Sequence, residues 1–189
     1  MLASMVASSE ISSVSALAPT LPVGHGEERW FAVYTCANRE KRVAMQFQAR
    51  KVDHFLPLYS SVRKWKDRRV RLELPLFPGY MFVRLALGER LRVLEVPGVV
   101  SLVGFGGHPF PLPEQEIDTL RAGIMSASRF EPCPQVKVGS RARIIRGPLQ
   151  GMEGILIRKK NLYRVVITID VIQKSAAVEV DALDIQRIS

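Results

Sequence analysis

Near the C-terminus the chain reads Gly147-Pro148-Leu149-Gln150-Gly151-Met152-Glu153-Gly154, and this stretch limits the possible folds more than any other. An apolar run, Ala142 to Ile145, leads in, and a basic run, Ile155 to Lys160, leads out. Pro148 fixes its own φ, while Gly147, Gly151 and Gly154 can take backbone angles closed to other residues. Such a segment makes a tight crossover between two strands, not a catalytic centre. The rest of residues 136–189 reads as about five short strands with no helical stretch, because β-branched residues abound. A segment this short closes as a small β-barrel rather than building a large core of its own.

Upstream, Trp30 to Cys36 reads as a strand, and Asn38 is placed to cap a helix running to about Lys51. His54 to Lys66 reads as a second strand, entered through Pro57, with Asp67-Arg68 at a hairpin tip. Arg69 to Leu76 alternates Val70, Leu72, Leu74 and Leu76 against polar residues, a period of two. Pro78-Gly79 bends the chain into another strand, Tyr80 to Leu85. Leu87 to Val96 reads as a short helix. Val99 to Phe105 is a strand closed by Gly106-Gly107. Pro113 opens a helix reaching about Met125, with Glu114 and Glu116 at its positive end. Four segments result: a disordered tail, 1–28; an α+β module with a mainly antiparallel sheet, 29–125; a linker, 126–135; and the barrel, 136–189.

The net charge of +9 is uneven. Acids and no base occupy the first 28 residues, whereas both later segments carry excess base, which suits a polyanionic partner such as nucleic acid. The tail has no positive n-region, so it does not read as a secretory signal. No apolar run is long enough to span a membrane. Cys36 and Cys133 make no disulfide framework, which fits a reduced cytoplasmic setting. His25, His54 and His108 are scattered, neither cysteine has a partner at metal-ligand spacing, and Gly104-Phe105-Gly106-Gly107 precedes no helix start. Catalysis, a metal and a cofactor are therefore not expected.

Three stretches carry a family resemblance. They are Arg29-Trp30-Phe31-Ala32-Val33-Tyr34, then Pro75-Leu76-Phe77-Pro78-Gly79-Tyr80-Met81-Phe82-Val83, then Gly98-Val99-Val100 through Gly104-Phe105-Gly106-Gly107. Together they resemble the N-terminal domain of NusG-type transcription elongation factors. Residues 138–154 are similar to the KOW motif of the same proteins, and the Pro-Leu-Phe-Pro segment resembles specialised paralogs such as RfaH and UpxY. The resemblance implies a bacterial, monomeric elongation and antitermination factor: an N-terminal NusG domain joined to an SH3-like KOW barrel. It implies binding to RNA polymerase and reduced pausing or termination, at particular operons. A ribosome-associated KOW protein binding rRNA is the rival reading, and a protein-only adaptor a second.

Side chains alternate along Tyr80-Met81-Phe82-Val83, so Tyr80 and Phe82 share a face. If Met81 and Val83 face the helices, Tyr80 and Phe82 stand outside, joined by Tyr34 and Phe77; otherwise all four are core. The resemblance implies that these four form the pocket for the clamp helices of the largest polymerase subunit. Arg39, Arg42, Gln46 and Arg50 recur at helical spacing and fall within about 80° of one another. They are either a solvated helix face or, as the resemblance implies, the surface lying against non-template DNA in the transcription bubble. Arg63 to Arg71 crowds bases around Trp65 on a hairpin, either a nucleic-acid contact or edge protection. In the barrel, Val171 and Ile172 form an apolar point, either ordinary barrel-strand residues or, as the resemblance implies, the point where a small-subunit ribosomal protein docks. Termination factor Rho is a further partner of the family.

Overall fold

In this computed structural model the described residues are 26–65, 68–125, 130–133, 139–159 and 162–188. The expected tail, apart from its last three residues, the Asp67 position of the hairpin tip and much of the expected linker lie outside them.

The first module runs β1 (Glu28–Thr35), α1 (Glu40–Ala49), β2 (Asp53–Phe55), β3 (Leu58–Trp65), β4 (Arg68–Pro75) and β5 (Tyr80–Ala86). It continues with a short helix α2 (Leu91–Leu94), β6 (Val99–Leu102), β7 (Gly104–Phe105), β8 (His108–Pro109), β9 (Pro111–Leu112) and α3 (Glu114–Met125). Its sheet has the order β2-β5-β1-β6, with β9 added to β1, and every pair is antiparallel. The β3–β4 hairpin stands as a separate two-stranded sheet.

Alternation decides the burial of this sheet. From β1, Phe31 and Val33 point one way and Trp30 and Ala32 the other. Phe31 and Val33 join Met81 and Val83 of β5 beneath Val43 and Phe47 of α1 and beneath Val93 and Val96. Trp30, Ala32 and Phe82 join Ile117 and Leu120 of α3. Helix α1 ends in a Schellman arrangement: Val52 N–H donates to the Phe47 carbonyl at 2.9 Å and Lys51 N–H to that of Gln48 at 3.1 Å. Lys51 takes the left-handed angle, φ 57°, that glycine more often supplies.

Local details depart from expectation. Asn38 does not cap α1; it is left-handed at φ 61° in the preceding turn, and Arg39 holds the cap position without a side-chain bond. Leu87 to Val96 splits into a 3-10 turn and α2, Gly88 being a poor helix former. The expected second strand is broken at Leu56-Pro57, where Pro57 lacks the N–H a ladder needs.

The second module is one antiparallel sheet, ordered β10-β14-β13-β12-β11-β15. Its strands are β10 (Phe130–Cys133), β11 (Ser140–Ile144), β12 (Glu153–Lys159), β13 (Leu162–Ile169), β14 (Lys174–Val180) and β15 (Ile185–Arg187). Here the expected linker needs correction. Its residues 130–133 are a strand paired with β14, from Phe130 opposite Val178 to Cys133 opposite Ser175. A proline-bearing strand is tolerated because β10 lies at the edge. Arg164 of β13 clamps it, bonding Glu131 of β10 at 2.7 Å and Glu179 of β14 at 2.5 Å.

The glycine-rich crossover folds as its residues dictate. Gly147 and Gly151 have φ of 83° and 91°. Gln150 N–H donates to Gly147 at 3.0 Å and Gly151 N–H to Ile144 at 2.8 Å. The turn buries Leu149, 3% exposed, in the cluster that holds Ile117 and Leu120 of α3. Gly123 of α3 makes room: a Cβ there would sit 2.2 Å from Leu149 Cδ2. One continuous apolar cluster thus runs from the second face of the N-terminal sheet, past α3, into the C-terminal module.

Candidate docking and nucleic-acid surfaces

The four aromatic residues separate into two pairs. Tyr34 and Tyr80 are register partners on β1 and β5, with ring centroids 5.2 Å apart. Tyr34 is 42% exposed and Tyr80 is half-buried. Burial and the neighbouring Tyr34 raise the Tyr80 hydroxyl pKa, so it stays protonated at neutral pH. Phe77 and Phe82 do not stand outside as expected; both are fully buried. They meet edge to face at 6.2 Å, and Phe82 stacks on Phe55. Met81 and Val83 do face α1 and α2, yet the opposite face is covered too, by α3 and the continuous cluster beyond it. Period-two alternation assigns a face; it cannot say whether a second layer lies on it.

The polar stripe is also divided. Arg39, Arg42 and Arg50 are exposed and Gln46 is half-buried. Gln46 Nε2 donates to the Pro97 carbonyl at 3.2 Å, fixing α1 to the loop before β6. Arg50 and Arg92 each donate to the other's backbone carbonyl, at 3.4 and 3.2 Å. Gln46 and Arg50 therefore brace α1 against the α2 region, while Arg39 and Arg42 project from its first turns.

The apolar point at Val171 and Ile172 is not open. Ile172 is 4% exposed within the shared cluster, and Val171 packs against it. Close by, the next strand begins at Lys174, whose Nζ lies 5.8 Å from the centroid of the Tyr80 ring. This corner of the second module faces the first.

Sequence reasoning missed two residues here. Glu40, 4% exposed, accepts the Gly79 N–H at 2.7 Å and so fastens the first turn of α1 to the Pro78-Gly79 bend. Its only sequence signal was an acid in the first turn of a helix. Arg121 of α3 lies over Trp30 and Phe55, at 5.2 and 5.1 Å from their ring centroids. Its helical phase carried no sign of that contact. Among the described residues, no three His, Cys, Asp or Glu gather as a metal ion would require, and no helix is long and apolar enough to cross a membrane.

Residues 28–121 match the family described as transcription termination factor NusG. The transcription termination/antitermination protein NusG of Deinococcus radiodurans is 27% identical over 154 residues, covering 67% of this chain and 81% of that one. Its namesake from Thermus thermophilus is 26% identical over 163 residues, covering 74% and 89%. In fold, the chain is similar to a solved structure described as domain interaction in Thermotoga maritima NusG. The TM-score is 0.58 at 22% identity, over 88% of this chain and 100% of that one.

Proposed function

We propose that this NusG-like chain, whose residues 28–121 are a NusG-family domain, is a transcription elongation and antitermination factor. It binds RNA polymerase through the end of the sheet that carries Tyr34 and Tyr80, with Phe77 and Phe82 beneath. The observation that carries this reading is the ring pair itself, held in strand register, with Tyr34 exposed and Tyr80 half-buried on a sheet face otherwise covered. Aromatic rings that share a groove with a helical partner give large contact area at little ordering cost. Because the C-terminal module packs on the same face, full engagement requires the two modules to part. Separation would also free the corner that carries Val171, half-buried close to Lys174, for a second partner such as a small-subunit ribosomal protein.

Arg39 and Arg42 are the residues of the stripe most free to reach bubble DNA, since Gln46 and Arg50 are engaged within the module. A coupling of ~1–3 kcal/mol between factor and the closed polymerase would change pause lifetimes about five- to 150-fold.

The test is binding of the full chain to a polymerase elongation complex across a salt series. Tyr34→Ala with Tyr80→Ala should lower affinity about tenfold or more, as removal of two interface rings does. Arg39→Ala with Arg42→Ala should flatten the salt dependence, because fewer counterions are released. Unchanged affinity in the first pair, with the fold intact, refutes polymerase docking at this face. An unchanged salt slope in the second refutes the DNA contact.

A further inference from the structure

A cavity of about 240 Å³ opens beside the ring pair, lined by Tyr34, Asn38, Glu40, Gly79 and Tyr80 of the first module and by Lys174 of the second. Its chemistry is that of a cation receptor. Two mutually tilted rings line it, and Glu40 supplies a carboxylate that is almost wholly buried. That carboxylate has one backbone donor, the Gly79 N–H, and among the described residues no basic side chain is ion-paired with it. A buried carboxylate with one hydrogen bond is poorly compensated for its lost hydration, so a cation entering the cavity is favoured. Lys174 reaches only part of the way: its ammonium lies against the Tyr80 ring, at 5.8 Å, and makes no ion pair with Glu40. A planar guanidinium does both jobs at once, stacking on a ring while its fork bonds a carboxylate.

We infer that this cavity receives an arginine side chain from the helical partner, and that Lys174 occupies its outer part while the two modules are together. The inference rests on polymerase docking at this face, as proposed above. It adds the chemistry by which the partner is recognised and the residue it must displace. Glu40 has two roles that can be separated. Its carbonyl-like oxygen positions the Gly79 bend, a role glutamine retains; its charge holds the guanidinium, a role glutamine loses.

The experiment measures affinity of the full chain for core RNA polymerase in four forms: unaltered, Lys174→Gln, Glu40→Gln, and the two combined. Thermal unfolding of each form is the fold control. Lys174→Gln should tighten binding about two- to fivefold, the worth of an exposed cation–π contact. Glu40→Gln should weaken it about tenfold in either background, the worth of a lost charge-assisted bond, with its thermal midpoint close to that of the unaltered chain. Equal binding by Glu40→Gln and its parent, in folded protein, overturns the cavity assignment alone. Failure of every form to bind polymerase overturns the docking reading and the occupant with it.

Discussion

On one face of the five-stranded sheet, Phe31, Val33, Met81 and Val83 lie under α1 and α2; on the other, Trp30, Ala32 and Phe82 lie in the cluster that passes α3 into the C-terminal module. Both faces are covered over these residues, but their covers differ in kind. The first is supplied by segments within about one element of the strands they cover, so it forms as the module forms. Part of the second comes from a sheet reached only after α3. Contacts between modules of one chain resemble transient interfaces and separate more readily than a core. Burial alone therefore does not distinguish a permanent core from a docked surface; the chain distance to the covering residues does.

Substitutions should expose that difference. Phe47→Ala, beneath the first face, should cost about 3–5 kcal/mol of N-terminal stability, the range for emptying a phenylalanine site; denaturant unfolding checks it. Gly123→Val acts at the second. Its new side chain meets Leu149, and overpacking of this size costs about 1–3 kcal/mol. Here the loss should fall on contact between the modules, seen as a larger radius of gyration in solution scattering with both modules still folded. An N-terminal module that unfolds with Gly123→Val as it does with Phe47→Ala would erase the distinction between the faces.

The first face was legible because its signal is local. Alternation along β1 and β5 and the spacing of Val43 and Phe47 on α1 together specify which residues meet. The glycine crossover was legible for the same reason, since backbone restriction acts within a few residues. Phe82 was misplaced because its cover lies far along the chain, and a half-buried sheet reads the same as one awaiting a second layer. The β10 strand hid behind its prolines, which mark a linker as readily as an edge strand. Glu40 was missed because a first-turn acid is ordinary on any helix, and only Gly79, 39 residues away, gives it a partner.

A smaller effect sharpens the contrast within the second module. The Glu153 carboxyl is held below the usual carboxylate range, chiefly by its hydrogen bond from Arg143 and in lesser part by Arg141. A depressed carboxylate contributes stability that is complete above its unfolded value, about 4.3, and is lost as pH falls through the lower folded value. Unfolding of the C-terminal module should therefore become easier on acidification below about pH 4, and less so in Glu153→Gln. Equal acid sensitivity in the two proteins would remove Glu153 from the account.

Leu149→Glu offers the most direct test of the central claim, that the C-terminal module covers the face on which polymerase docks. A charge at this buried contact should hold the modules apart. Affinity of the full chain for core RNA polymerase would be measured beside solution scattering on the same sample. The account predicts a more extended chain that binds polymerase several-fold more tightly than the unaltered one. An extended, folded chain with unchanged or weaker affinity would contradict it.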